Sequence, residues 1–220
     1  MPAYKIKALV LKKTKLGETD LIITLLDEEG LQRRAVAKGA RKPGSFLAAR
    51  LELYTLVEAQ LSTGRSLDIV TDARILAANT SCRGSIECSA AAALPVELVE
   101  KATSQQNAEP LLYAMTVAAL ENIGASQGYA GSMISLACTL KLCAALGVRP
   151  DVTELTYADE TLATWVETLL QARFTDLLAF SGAEYLPIQR ELIVFCERWT
   201  EEFLDIRLKS LGFLKSLLAS

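Results

Sequence analysis

The side chains most able to do chemistry in this sequence are cations near its N-terminus. Eight lysines and arginines stand out by their clustering: Lys12, Lys13, Arg33, Arg34, Lys38, Arg41, Lys42 and Arg50. A surface that gathered such side chains would bind phosphates by releasing counterions, without regard to base sequence. An ordinary solvated surface is charged too, so both interpretations stay open at this point.

Charge is divided unevenly along the chain, whose net charge is −3. Residues 1–80 hold 13 lysines and arginines against 9 aspartates and glutamates, whereas residues 81–220 hold 10 against 17. Such asymmetry suggests separate surfaces for separate partners. The basic part is therefore the place to look for a nucleic-acid partner.

Catalysis is disfavoured because the sequence contains no histidine. This absence excludes Ser-His-Asp and Cys-His arrangements, histidine-bound zinc and the commonest general base. A nuclease that uses glutamates and aspartates with a metal is the remaining enzymatic alternative, but carboxylates on solvated helix faces are the simpler interpretation. We expect a protein that is not an enzyme and that needs no cofactor.

The cysteines do not indicate a metal site. They are odd in number and form no C-x-x-C pair: Cys82, Cys88, Cys138, Cys143 and Cys196. A thiolate zinc site needs pairs spaced about two to four residues apart. Together with lysines that interrupt the first apolar run, this favours reduced thiols in a cytoplasmic protein without a secretory leader.

Over the first eighty residues, the pattern of apolar residues and turn residues predicts five strands and one helical turn. The predicted strands are Tyr4–Leu11, Leu21–Leu26, Leu31–Ala37, Leu51–Leu61 and Leu67–Leu76, and the helical turn is Phe46–Arg50. An acidic turn that ends in Gly30 makes the second and third strands a hairpin. This order fits an OB-fold barrel, although another five-stranded barrel or a meander has the same pattern.

The segment between the third strand and the helical turn is a basic loop, residues 38–45. Gly39 and Gly44 make it a loop but do not have the spacing of a phosphate-binding loop. Phe46 follows this loop directly, where its ring has the position to stack on a base. Tyr54, the other aromatic residue near the cluster, is expected to lie in the core instead.

From residue 81 the pattern is helical. Helices are predicted at Cys88–Lys101, Leu111–Gly124, Ala130–Leu146, 160–180, Ile188–Phe203 and Arg207–Leu218, with Pro95 interrupting the first. The stretch from Ala130 to Val148 is nearly all apolar and has about the length of a membrane span. Its serines, threonine and Lys141 favour a buried core helix instead, so we expect an α+β protein with no membrane partner.

Several segments together resemble the RecO family of bacterial DNA repair proteins in their order and spacing. They are residues 8–12 (ALVLK), 17–22 (GETDLI), 37–45 (AKGARKPGS), 64–67 (GRSL), 142–150 (LCAALGVRP) and 207–210 (RLKS). The stretch at residues 37–45 is the most specific of them. The resemblance is close over residues 1–80 and looser over the rest.

This resemblance implies an N-terminal OB-fold DNA-binding domain, residues 1–80, and an α-helical C-terminal domain, residues 81–220. It further implies a mediator of the RecF pathway that binds single- and double-stranded DNA and anneals complementary strands. With RecR, such a protein helps to load RecA onto strands coated by single-strand-binding protein, and it is cytoplasmic and nucleoid-associated during repair. The alternative is a scaffold whose barrel binds protein rather than DNA.

The sequence departs from the family at one place. Many RecO proteins carry a four-cysteine zinc module after the segment that ends here at Pro150, but no cysteine lies between Cys143 and Cys196. We therefore assign no metal ligand. The family's helical domain receives the acidic C-terminal tail of single-strand-binding protein, and Lys141, isolated in an apolar helix, is a candidate to grip that tail or else a structural lysine that reaches solvent.

Overall fold

A computed structural model describes residues 3–153, 155 and 159–218. The chain forms two compact units. Met1–Thr80 and Thr103–Val117 make up the first, called the barrel unit below, and Ser81–Ala102 and Ala118–Ser220 make up the second, called the helical unit. The predicted domain boundary after residue 80 stays a prediction.

The barrel unit is a closed five-stranded barrel with the strand order β1-β2-β3-β5-β4. Its elements are β1 (Ala3–Leu16), β2 (Asp20–Asp27), β3 (Gln32–Ala37), α1 (Phe46–Arg50), β4 (Leu56–Ser62) and β5 (Asp68–Ala77). Neighbouring strands are antiparallel except β3 and β5, which pair in parallel. This order, with a helix between β3 and β4, is that of an OB-fold, and it confirms the predicted fold class.

The core of the barrel consists of the inward-facing residues of all five strands. These are Ala8, Val10, Leu21, Ile23, Leu25, Ala35, Ala37, Val57, Ala59, Leu61, Val70 and Ala73. Most lie two positions apart along a strand, as alternation between two faces of a sheet requires. The other face of each strand is therefore the outside of the barrel.

Two strand boundaries differ from the prediction by more than one residue. β1 continues through the lysines as far as Leu16, because strand pairing with β2 continues beyond the apolar run. The predicted fourth strand begins at Leu51, but β4 begins only at Leu56. Tyr54 has a φ of +69°, a conformation incompatible with an extended strand, so residues 51–55 turn the chain instead.

The polar segment after α2 belongs to the barrel unit. The backbone N–H of Gln32, at the start of β3, donates a hydrogen bond of 2.9 Å to the carbonyl of Ser104. At Gly30 the chain has a φ of +78°, and a Cβ there would lie 2.1 Å from the carbonyl oxygen of Glu109. Only glycine fits this close approach.

The helical unit consists mainly of longer α-helices. They are α2 (Ile86–Ala102), the second half of α3 (Pro110–Ala125), α4 (Ala130–Ala145), α5 (Glu160–Gln171), α6 (Leu186–Leu204) and α7 (Lys209–Leu217). The helix predicted over residues 160–180 ends at Gln171, and a separate 3₁₀ turn follows at Asp176–Ala179. α4 is buried along most of its length, as expected of a core helix. Within the described ranges, no helix has the length and apolar character to cross a membrane.

The predicted interruption at Pro95 was wrong. Pro95 lies inside the continuous helix α2, where a proline leaves the carbonyl four residues earlier without its usual donor. That carbonyl belongs to Ala91, and the hydroxyl of Ser135 in α4 donates to it at 2.7 Å. A contact between two helices therefore replaces the missing backbone hydrogen bond.

A carboxylate from α2 holds the start of α7. Glu97 accepts hydrogen bonds from the backbone N–H groups of Lys209 (3.1 Å) and Ser210 (2.8 Å). It also accepts a hydrogen bond of 2.6 Å from the hydroxyl of Ser210 and forms an ion pair of 2.8 Å with Lys101. Burial alone would raise the pKa of Glu97, but the hydrogen bonds from Lys101 and Ser210 outweigh it and lower the pKa to about 2.

The stability that Glu97 contributes is expected to depend on pH. Since its pKa is lower in the folded state, the contribution is full above about pH 4.5 and is lost as the pH falls through about 2. Glu97→Gln should lower the free energy of unfolding by about 2 kcal/mol at pH 7, and this difference should shrink below pH 4. Urea unfolding followed by circular dichroism at pH 7 and pH 3 measures both values, and a difference independent of pH would contradict this account.

Candidate nucleic-acid interface

A row of side chains crosses the outside of three neighbouring strands. Strand pairing places Lys12 of β1 opposite Thr24 of β2, and Thr24 opposite Arg34 of β3. Paired residues point to the same face of a sheet, and the neighbours of Thr24, Ile23 and Leu25, point into the core. Lys12 and Arg34 are exposed, whereas Thr24 between them is buried, so the row presents two cations to solvent, separated by roughly 10 Å, which is two strand spacings.

A β-bulge places Lys12 in this row. The pairing of β1 with β2 shifts between Val10 and Lys12, so Leu11 is an extra residue. Val10 points inward, and without the extra residue Lys12 would share its face, because side chains alternate along a strand. The bulge turns Lys12 to the outside.

The basic loop, residues 38–45, is attached to the turn between β1 and β2. The backbone N–H of Arg41 donates to the carbonyl of Thr19 at 2.8 Å, and its guanidinium donates to the carbonyl of Gly17 at 2.9 Å. The N–H of Gly39 donates to the carboxylate of Asp20 at 2.8 Å. This last bond, with one from the hydroxyl of Thr19, holds the pKa of Asp20 below its usual range.

Three of the loop's side chains stand in solvent: those of Lys38, Arg41 and Lys42. Lys38 directly follows β3, the strand that carries Arg34. Among the residues that the structure describes, Arg34, Lys38 and Lys42 form no ion pair with a carboxylate. Lys38 and Lys42 interact electrostatically with the carboxylate of Asp20, but only beyond ion-pair distance, so all three charges remain accessible to an external anion.

The other three predicted cations are held by carboxylates of the barrel. Lys13 pairs with Glu52 at 2.8 Å and Arg50 with Asp72 at 2.8 Å. Arg33 lies 2.9 Å from Asp27, whose side chain is only 3% exposed. Burial lowers the pKa of Arg33, but the hydrogen bond to Asp27 outweighs it, so the pKa is raised and the guanidinium stays charged.

The predicted site residues thus separate into two sets. We define the outer face as Lys12, Arg34, Lys38, Arg41 and Lys42, on β1, β3 and the basic loop. The carboxylate-held set is Lys13, Arg33 and Arg50. Geometry and charge make the outer face the better candidate for phosphate contacts, and the sequence alone did not distinguish the two sets.

Lys141 lies in the helical unit and has a partner. Its ammonium donates at 2.6 Å to the carbonyl of Leu170, in the last turn of α5, and stands 6.0 Å from the ring of Phe174. A cation there satisfies an unpaired carbonyl and opposes the negative end of the helix dipole. Burial lowers the pKa of Lys141. Its predicted role in partner binding stays a prediction.

A groove that the sequence did not reveal lies elsewhere in the helical unit. It has a volume of about 380 Å³ and is lined by apolar side chains, two arginines and two carboxylates: Leu162, Val194, Phe195, Arg190, Arg198, Asp159 and Glu191. Apart from Asp159, which directly precedes α5, these residues come from α5 and α6, which are separated in the sequence. No sequence motif joins them, and only the packing of the two helices brings them together.

Metal binding finds no support in the described part of the chain. There, no group of three or more cysteines, aspartates or glutamates is arranged to hold a metal ion. Cys138, Cys143 and Cys196 are buried in the helical unit, where burial raises the pKa of each thiol. Such thiols behave as small core side chains.

Comparison with known proteins assigns both parts of the chain to one family. Residues 1–79 match the family described as "Recombination protein O N terminal", and residues 83–156 match "Recombination protein O C terminal". The protein named "DNA repair protein RecO" from Bifidobacterium longum (strain DJO10A) is 30% identical over 240 aligned residues, which cover 98% of this chain and 100% of the relative.

Two further relatives with the same name cover part of the chain. The protein from Synechococcus elongatus is 34% identical over 147 residues, covering 67% of this chain and 55% of the relative. That from Dehalococcoides mccartyi is 29% identical over 151 residues, covering 69% and 59%. With the barrel, the helical part and the full-length alignment in agreement, this chain belongs to the RecO family of DNA repair and recombination proteins, which act without catalysis.

Proposed function

We propose that the outer face binds the phosphates of single- and double-stranded DNA. The observation that carries this proposal is the exposure of Arg34, Lys38 and Lys42, on β3 and the loop that follows it, with no ion pair to a carboxylate among the described residues. Cations arranged in this way recognise the charge of a strand and not its bases. Sequence-independent binding is what a general repair factor needs.

On this basis we propose the role of a recombination mediator. The protein anneals complementary strands and, with RecR, helps to load RecA onto strands coated by single-strand-binding protein. Family membership supports this role, and the outer face supplies its DNA contact. Neutralising the phosphates of two strands on one cationic surface reduces the repulsion that opposes annealing.

Fluorescence polarisation with a labelled single strand across a salt series tests the DNA proposal. Each phosphate contact with a single strand contributes about 0.7 to the slope of log affinity against log salt, so contacts by the three unpaired cations predict a slope of about −2 or steeper. The alternative, a scaffold whose barrel binds protein, predicts no salt-dependent binding of the single strand. A flat salt dependence would favour the scaffold.

We also propose that the groove between α5 and α6 receives the acidic tail of single-strand-binding protein. Arg198 is exposed at this groove, beside the apolar side chains of Leu162 and Phe195. An acidic tail with apolar residues needs this combination of a cation and an apolar surface. We favour Arg198 over Lys141 as the cation, since the ammonium of Lys141 already donates to Leu170.

Paired variants distinguish the two cations. Lys141→Met is expected to lower the free energy of unfolding by about 1–2 kcal/mol, because the carbonyl of Leu170 loses a charged donor. Its affinity for a labelled tail peptide should stay within about twofold of wild type, whereas Arg198→Ala should lose about tenfold, as expected for one charged contact. The reverse result, with loss only in Lys141→Met, would restore Lys141 as the tail-binding residue.

A further inference from the structure

One aromatic side chain of the barrel unit is far more exposed to solvent than the other large apolar side chains. The side chain of Phe46 is 79% exposed, compared with 56% for Leu111, the next most exposed large apolar residue of the described chain. Leaving an aromatic ring in water forgoes roughly 1.5–3 kcal/mol of burial. Among the described residues, Phe46 is neither part of the barrel's core nor packed against it, so core packing does not explain its position.

The backbone around Phe46 fixes the ring outside the barrel. Phe46 is the first residue of α1, whose next residue, Leu47, packs against the barrel core. Leu51, just after the helix, is fully buried, and its N–H donates to the carbonyl of Leu47 at 3.0 Å. Because α1 is fixed to the core by these two leucines, its other side, with Phe46, faces solvent.

A second contact positions the ring itself. The guanidinium carbon of Arg50 lies 6.0 Å from the centre of the Phe46 ring, within the range of a cation–π interaction. Arg50 is in turn held by Asp72 of β5 at 2.8 Å. The ring is therefore oriented from one side while most of its surface remains open.

The open ring stands at the end of the basic loop. Lys42 lies four residues before Phe46, and Lys38 begins the same loop. A strand whose phosphates lie along these cations would carry its bases past the ring. Cations that follow the backbone, with an aromatic ring beside them, are the combination that single-strand-binding surfaces use.

We propose that Phe46 stacks on an unpaired base and gives the barrel a preference for single-stranded over double-stranded DNA. This inference rests on the proposed function, because it places a base contact beside the proposed phosphate contacts. A duplex keeps its bases stacked inside, so the ring has no base to contact there. Phosphate contacts by Lys38 and Lys42 are common to both forms of DNA.

A series at position 46 tests the chemical nature of the contact. Phe46→Ala and Phe46→Leu should each lower the affinity for a labelled single strand about tenfold, the size of one base–aromatic stack, whereas Phe46→Trp should retain it. Leucine preserves an apolar side chain but not the π-face. Duplex affinity and the slope against salt should stay as in wild type for all three variants, and Leu111→Ala serves as a matched loss of an exposed apolar side chain.

An abasic oligonucleotide of equal length tests the same contact from the DNA side. Wild type should bind this strand about tenfold more weakly than the ordinary strand, and Phe46→Ala should bind both alike. If wild type binds both strands equally and Phe46→Ala matches it, stacking is wrong while phosphate binding stands. If wild type binds neither strand, the proposed function fails and this inference falls with it.

Discussion

Replacing Arg34, Lys38 and Lys42 together with alanine is expected to lower the affinity for single-stranded DNA about a hundredfold at about 0.1 M salt. Each phosphate contact changes log affinity by about 0.7 for a tenfold change in salt, and three contacts therefore account for about two logarithmic units between about 0.1 and 1 M. All three side chains are exposed and lie outside the core, so the fold should be unaffected. Fluorescence polarisation measures the loss.

A matched control separates a local contact from a general charge effect. Arg173, Arg207 and Lys215 are exposed cations of the helical unit, each paired with a carboxylate. Replacing these three with alanine removes the same amount of charge, but the affinity should change by less than about threefold, since these cations are not part of the outer face and each is already paired with a carboxylate. Equal losses in both triple variants would mean that no particular face binds DNA.

Asp27→Ala is expected to destabilise the protein by about 3 kcal/mol or more. The carboxylate of Asp27 is buried and accepts hydrogen bonds from the backbone N–H groups of Glu29 (3.1 Å) and Leu31 (2.8 Å) as well as from Arg33 (2.9 Å). Its removal leaves the guanidinium of Arg33 without its counter-charge and two donors without an acceptor. Urea unfolding followed by far-UV circular dichroism measures the difference.

The exposed pair of Arg50 with Asp72 provides the control for this prediction. The side chain of Asp72 is 63% exposed, and exposed ion pairs contribute about 0–1 kcal/mol, so Asp72→Ala should lose less than about 1 kcal/mol. A loss in Asp27→Ala no larger than this would show that Arg33 is not held structurally. Arg33 would then return to the list of cations that can contact DNA.

The positions of the strands along the chain could be predicted because their signals are local, whereas their order in the barrel depends on pairing between distant segments. Alternating apolar residues and the turn ending in Gly30 indicate β2 and β3 directly, and both strands occur where the pattern places them. The bulge at Leu11 could not be predicted, because it depends on pairing with another strand. Pro95 is similar: its tolerance in α2 depends on Ser135, a residue of a different helix.

The candidate site was predictable in composition but not in arrangement. The sequence identifies the cations as a group, yet a carboxylate partner distant in the chain determines which of them stay available. Arg50 and Asp72 are 22 positions apart and form an ion pair, whereas no pattern in the sequence indicates that contact. The exposure of Phe46 likewise could not be predicted, because it depends on which side of α1 packs against the barrel core.

Lysine footprinting of the wild-type protein tests most directly whether the outer face meets DNA. Acetylation is followed by mass spectrometry with and without an unlabelled single strand, and each lysine reports separately. We expect the strand to protect Lys12, Lys38 and Lys42, while Lys209 and Lys215 of the helical unit keep their reactivity. Protection of Lys209 and Lys215 with unchanged reactivity at the other three would contradict the assignment of the outer face as the DNA-binding surface.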